Sequence, residues 1–185
     1  MKKTIFVLLL ILSLFATTAN AQKYLWFDIY SGMTQEQFDT YCSDKFKPDG
    51  NAYSTYINGD PYRFTCLLNE NKLVYGVVLV NANVYNSSDY KEDLKEETAS
   101  IYDELKTIFG KPSYKDWPSE SKNQTDAITP VYIFTKNTVQ ICIGIYKKEE
   151  GAYFIVICVV DTDSITESPK TPSSSPSGGT GIVNL

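Results

Sequence analysis

Four cysteines, Cys42, Cys66, Cys142 and Cys158, carry most of the reactive chemistry in this 185-residue sequence. Thiols can hold a metal, attack a carbonyl or pair with one another, and spacing decides among these. No C-x2-C pair is present, so a zinc site built from four cysteines is not indicated. The chain contains no histidine, which excludes Ser-His-Asp and Cys-His catalysis and every histidine-containing zinc site. It also removes the usual general base near neutral pH. Among the carboxylates, "KEDLKEE" (91–97) reads as the solvated face of a helix. "DTDS" (161–164) begins like a calcium loop but lacks the glycine and the distal glutamate. No catalytic residue, metal ligand or cofactor follows, and the chain reads as non-enzymatic. Pairing of the cysteines remains.

Whether thiols pair depends on compartment. Lys2 and Lys3 precede the apolar run "TIFVLLLILSLFA" (4–16), and "ANA" (19–21) supplies small residues for cleavage before Gln22. Residues 1–21 therefore read as a cleaved signal peptide, and the protein as exported, periplasmic or secreted. The residue after the cleavage site is Gln22 rather than a cysteine, so a lipoprotein anchor is not indicated, and no later stretch approaches the ~20 apolar residues of a membrane span. Residues 22–163 make one domain and residues 164–185, rich in Ser, Pro and Gly, a disordered tail. Without the two leader lysines, 15 cations face 22 anions, a net charge of −7. That balance argues against nucleic acid, which rewards clustered Lys and Arg.

The elements that must position the cysteines follow from periodicity. "YLWFDIY" (24–30) is β-prone and reads as a first strand. In "SGMTQEQF" (31–38) Thr34 is an N-cap with Gln37 at N3, a capping box, and Met33 with Phe38 forms a hydrophobic staple. The spacing predicts a helix over 34–46, stopped by "KPDGN". Strands follow over 52–57, 62–68 and 73–80. A two-residue turn at Glu70-Asn71 sets Cys66 opposite Tyr75, Leu68 opposite Leu73 and Phe64 opposite Val77, all on a core face.

A second helix covers 89–109, with Asp89 and Glu92 resembling a capping box and Gly110 and Pro112 ending it. After a loop at 113–126 come strands over 128–135, 138–146 and 152–160. The order β-αβββ-αβββ predicts an α+β fold: an antiparallel sheet of about six to seven strands with both helices on one face.

On this framework Cys42 on the first helix can meet Cys66 on the sheet. A three-residue loop at 149–151 sets Cys142 directly opposite Cys158. At a non-hydrogen-bonded pair the Cα atoms stand about 4.5 Å apart, just inside disulfide range. The preferred candidate disulfides are thus 42–66 and 142–158, against four buried free thiols. The last hairpin is apolar on both faces. One carries Ile141, Ile143, Ile145, Ile155, Ile157 and Val159 and suits helix packing. The other carries Cys142, Tyr146, Phe154, Val156, Cys158 and Val160. Cover by the 113–126 loop or the N-terminal strand is the plain expectation for it. If it is open, Tyr146 and Phe154 are anchors for a partner.

Two stretches together carry a resemblance. "GMTQEQF" opens a short helix after a strand, and "IYDELKTIFGKPSY" (101–114) closes a long one before antiparallel strands. The pattern resembles the β-lactamase-inhibitor-protein-like and SmpA/OmlA-like superfamily, and exported α/β proteins of Bacteroidetes. That resemblance implies a small exported module that binds other proteins, so the expected partner is a protein or a cell-envelope component. The alternative is a small-ligand or glycan binder using Tyr114 and Trp117 in the long loop.

Overall fold

In a computed structural model, the structure describes residues 22–148 and 151–165. Residues 1–21, 149–150 and 166–185 lie outside the described residues, and with them the expected signal peptide and nearly all of the expected tail. No helix among the described residues is long and apolar enough to cross a membrane.

The first segment differs from expectation. "YLWFDIY" forms a small hairpin, β1 (Tyr24–Trp26) and β2 (Ile29–Tyr30), separate from the main sheet. It turns at Phe27, whose φ of 49° lies in the left-handed region.

The first helix, α1 (Gln35–Lys45), starts as its sequence dictates. Thr34 Oγ1 accepts from the Gln37 amide at 3.2 Å and Gln37 Oε1 accepts from the Thr34 amide at 2.9 Å, closing the capping box. Met33 and Phe38 are both buried beside it.

A short edge strand, β3 (Lys47–Asp49), occupies part of the stretch expected only to end the helix. It opens the meander β4 (Ala52–Ile57), β5 (Asp60–Leu68) and β6 (Val74–Asn81). Asn58 and Gly59, both at positive φ, make the tight turn between β4 and β5.

The β5–β6 register is two residues from expectation: Cys66 faces Val77 and Phe64 faces Leu79. The turn is longer because Asn69 Oδ1 accepts from the Asn71 and Leu73 amides, and an irregularity at Leu67–Leu68 absorbs the rest. The slip is even, so Phe64, Cys66 and Val77 keep their predicted face.

The second helical segment is broken. A 3-10 turn (Asp89–Lys91) precedes α2 (Asp93–Phe109), with Glu92 between them out of helical geometry. The Asp89–Glu92 capping box is not formed. Asp89 instead accepts from the Asn86 amide behind it at 2.9 Å. Gly110, at φ 78°, ends α2. The second meander is β7 (Tyr114–Lys115), β8 (Ile128–Lys136), β9 (Val139–Lys147) and β10 (Tyr153–Asp161).

The two meanders meet in one antiparallel sheet of eight strands, ordered β3-β4-β5-β6-β10-β9-β8-β7. Each half is a helix followed by four strands, and the halves join through β6 and β10. The strand count therefore exceeds the expected six to seven, while the α+β class and the antiparallel sheet stand. One row of paired residues crosses it: Tyr132, Ile143, Ile157, Leu79, Phe64 and Tyr53. At one end Tyr102 of α2 stacks on Tyr132, centroids 4.4 Å apart. At the other, Phe38 of α1 meets Tyr53 and Phe64. Both helices thus cover the same face, and the core lies beneath them.

Candidate functional site

The rows that alternate with this core lie on the opposite, helix-free face. One runs Tyr114, Ile133, Cys142, Cys158, Val78 and Thr65 across β7, β8, β9, β10, β6 and β5. A parallel row holds Ile128, Tyr146 and Phe154. Burial differs between the two faces along a single strand. On β10, Ile155, Ile157 and Val159 are at most 4% exposed; on the other side Val156 is likewise sealed, but Phe154, Cys158 and Val160 are only half-buried. At the margins Tyr114 is 41% and Ile128 38% exposed.

Most of the expected cover of this face packs elsewhere. In the 113–126 segment, the Pro118 carbonyl accepts from Tyr90 Oη at 2.9 Å, and the Trp117 ring lies 5.4 Å from that of Tyr90. Tyr90 in turn meets Tyr153, a helix-side residue, at 5.0 Å. The N-terminal hairpin buries Leu25 and Ile29 in the same core. Most of both segments therefore packs on the helix side, but the end of the 113–126 segment does reach this face beside Tyr146, where Thr125 bridges to Lys147 and the Asp126 amide donates to the Lys147 carbonyl at 2.8 Å.

Tyr146 and Phe154 stand on adjacent strands, ring centroids 6.3 Å apart, and Tyr146 Oη donates to Asp126 at 2.9 Å. Beside them is a groove of about 450 Å³ lined by Arg63, Thr65, Val78, Val80 and Lys148. Sequence reasoning missed this groove, because Arg63 and Val80 are brought to Phe154 only by the β6–β10 pairing. Arg63 is tied to Asp49 Oδ2 at 2.8 Å. Tyr114 and Trp117 do not come together as a ligand site. Tyr114 pairs with Ile133 on the helix-free face, whereas Trp117 sits over the core with Lys95 of α2 6.0 Å away.

All four cysteines are free thiols, so neither candidate disulfide is formed. The expected pairs are nonetheless neighbours: burial, with the nearby Cys66 adding to it, raises the Cys42 thiol, and Cys158 pairs with Cys142 in the β9–β10 register. The backbone explains the second case. Lys148 N donates to Ala152 O, and Thr162 N to Thr138 O, each at 2.8 Å. Counting inward by twos from either end makes Cys142–Cys158 a hydrogen-bonded pair, contrary to the expected non-hydrogen-bonded one. Cβ atoms there stand about 5.5 Å apart, beyond the ~3.5–4.5 Å a disulfide spans. Burial pushes the Cys142 thiol up to about 11 and the Cys158 thiol to about 12, the latter helped by Cys142. Burial likewise raises Cys42 to about 12 and Cys66 to about 11. None is a nucleophile at neutral pH.

The "DTDS" carboxylates are spent internally. Asp161, 1% exposed, accepts from Ser31 Oγ and Ser164 Oγ at 2.8 Å each and from Lys23 Nζ at 3.2 Å. Burial opposes its ionisation. Hydrogen bonds from Ser164, Ser31, Thr138 and Lys23 outweigh that and hold its carboxyl below the ordinary range. Among the described residues no group of three or more His, Cys, Asp or Glu is placed to hold a metal ion. Asp163–Ile165 form a closing 3-10 turn after β10.

Fold and face together define an α+β protein with one sheet face packed under helices and the other left with half-buried apolar rows. No protein-family model, curated protein or solved structure matches the chain.

Proposed function

We propose that this chain is an exported, non-enzymatic module that binds another protein, or a protein-bearing component of the cell envelope, through the helix-free face. The observation that carries the reading is the contrast between the two sides of β10. Its helix-side aliphatics are sealed, whereas on its other side Phe154, Cys158 and Val160 are half-buried around a sealed Val156. Contiguous apolar surface on a soluble domain marks contact sites, and aromatic side chains such as Tyr146 and Phe154 are the usual anchors. The resemblance of "GMTQEQF" and the "FGKP" helix exit to the β-lactamase-inhibitor-protein-like superfamily favours a protein partner.

The test compares capture of envelope proteins by the wild-type chain and by Phe154→Asp and Val80→Asp variants. A helix-side variant, Glu96→Lys, serves as control, and thermal melts verify folding. Loss of one reproducible partner in the two face variants alone supports the reading. Equal capture by all three variants refutes it.

A further inference from the structure

We infer that Asn58, in the β4–β5 turn, is a site of spontaneous deamidation, and that the carboxylate formed there stands against Glu104 of α2. The inference is independent of the binding role proposed above.

The reaction needs only the chain and water. The backbone nitrogen of Gly59 attacks the side-chain carbonyl carbon of Asn58. The bond from that carbon to the amide nitrogen breaks, and the nitrogen leaves as ammonia with the proton given up by the Gly59 amide. The five-membered succinimide left behind takes up one water. Opening at one carbonyl gives aspartate, and opening at the other gives isoaspartate, whose main chain runs through the side-chain carbon. Three conditions favour the first step: an attacking amide free of hydrogen bonds, no side chain on the attacking residue, and room for the ring.

The β4–β5 turn meets all three. Asn58 and Gly59 are its only two residues, both are exposed, and both stand at positive φ, 55° and 100°. Positive φ at both central positions marks a type I′ hairpin turn. Among the described residues no backbone hydrogen bond engages the Gly59 amide. A Cβ built on Gly59 would meet nothing within 4 Å.

Two related turns fail these conditions. Asp49-Gly50, between β3 and β4, has the same glycine, but the Arg63 guanidinium lies against it. Arg63 Nε pairs with Asp49 Oδ2 at 2.8 Å, and Arg63 Nη2 donates to the Asp49 carbonyl at 3.0 Å. An ionised carboxylate held in a charge-assisted hydrogen bond is a poor target for attack. Asn137, between β8 and β9, shares the φ of 55° but precedes Thr138, a β-branched residue. The Thr138 carbonyl is also held, by the Thr162 amide at 2.8 Å.

The consequence falls on α2. Burial raises the pKa of Glu104, and a hydrogen bond from the Asn58 side chain pulls it back down. Deamidation removes that donor and puts a second carboxylate in its place, so like charges meet where a hydrogen bond had been. Isoaspartate also inserts a main-chain methylene into a turn of two residues. The change runs one way and accumulates with the age of the protein.

The test incubates the folded full chain at pH 8 in water enriched in oxygen-18, beside a copy unfolded in urea, and reads tryptic peptides by mass spectrometry. The expected result is conversion of Asn58 in the folded chain, with heavy oxygen in the product, at least about tenfold faster than at Asn137. Asp49 should stay unlabelled. Conversion of Asn58 confined to the unfolded copy overturns the site, as does equal or faster labelling at Asn137 or Asp49. A second arm compares urea unfolding at pH 7 for Asn58→Asp and Glu104→Gln, singly and together. Asn58→Asp should lower the midpoint, and lower it less in the Glu104→Gln background. An equal loss in both backgrounds, or none in either, overturns the opposition to Glu104.

Discussion

Cys142 on β9 and Cys158 on β10 stand directly opposite each other on the helix-free face, at a pair whose backbones exchange hydrogen bonds. Such a pair splays its side chains, so proximity along the sheet does not become proximity of sulfurs. Denaturing the protein without reductant and alkylating it should label both residues completely. With thiol pKa values of about 11 and 12, labelling of the folded protein at pH 8 should be slow at both. A tryptic peptide pair joined through these two sulfurs would contradict this geometry.

Asp161 ties three distant segments together: Lys23 and Ser31 near the N-terminus, and Ser164 after the last strand. Its carboxyl is held below the ordinary range, so its contribution is present above the unfolded value near pH 4. That contribution is lost as pH falls through the lower folded value. Replacing Ser31→Ala removes one charge-assisted hydrogen bond. It should cost about 1.5–3 kcal/mol at pH 7, less once Asp161 is protonated. Urea unfolding at pH 7 and pH 3 checks both the size and the trend.

Glu97 on α2 has the opposite sign. Burial raises its pKa and the nearby Asp60 adds to this, while the hydrogen bond from the Asn81 side chain opposes them. A carboxyl with a raised folded pKa penalises the folded state above its unfolded value near pH 4.3. Glu97→Gln keeps an acceptor for Asn81 and removes the charge. Its melting temperature should exceed wild type at pH 7, the gap closing as pH falls below about 4. A lower melting temperature at pH 7 would show that the charge is needed.

What the sequence disclosed follows how local each determinant is. The start of α1 was legible because Thr34, Gln37, Met33 and Phe38 lie within six residues. The pairing of Cys142 with Cys158 was legible from the loop length expected between the last two strands, although its hydrogen-bonding class was not. The β5–β6 register was not, because the Asn69 side chain, rather than a turn dipeptide, sets the length of that connection. The hairpin at Phe27 carries neither glycine nor proline to announce it. The edge strands β3 and β7 are three and two residues long, too short to show alternation. Above all, the position of the 113–126 segment depends on the Tyr90–Pro118 contact, 28 residues apart in the chain. That contact draws the middle of the segment to the helix side and leaves only its end, at Asp126, beside Tyr146.

The most direct measurement of the central claim is site-specific photocrosslinking in producing cells. A photoreactive phenylalanine analogue is placed at Phe154 on the helix-free face or at the exposed Glu96 on α2. The expected result is a discrete covalent species, heavier than the chain by one partner, from position 154 but not from 96. It should be lost when Val80→Asp is added. Heavier species from position 96 and none from 154, or none from either, would contradict a binding role for this face.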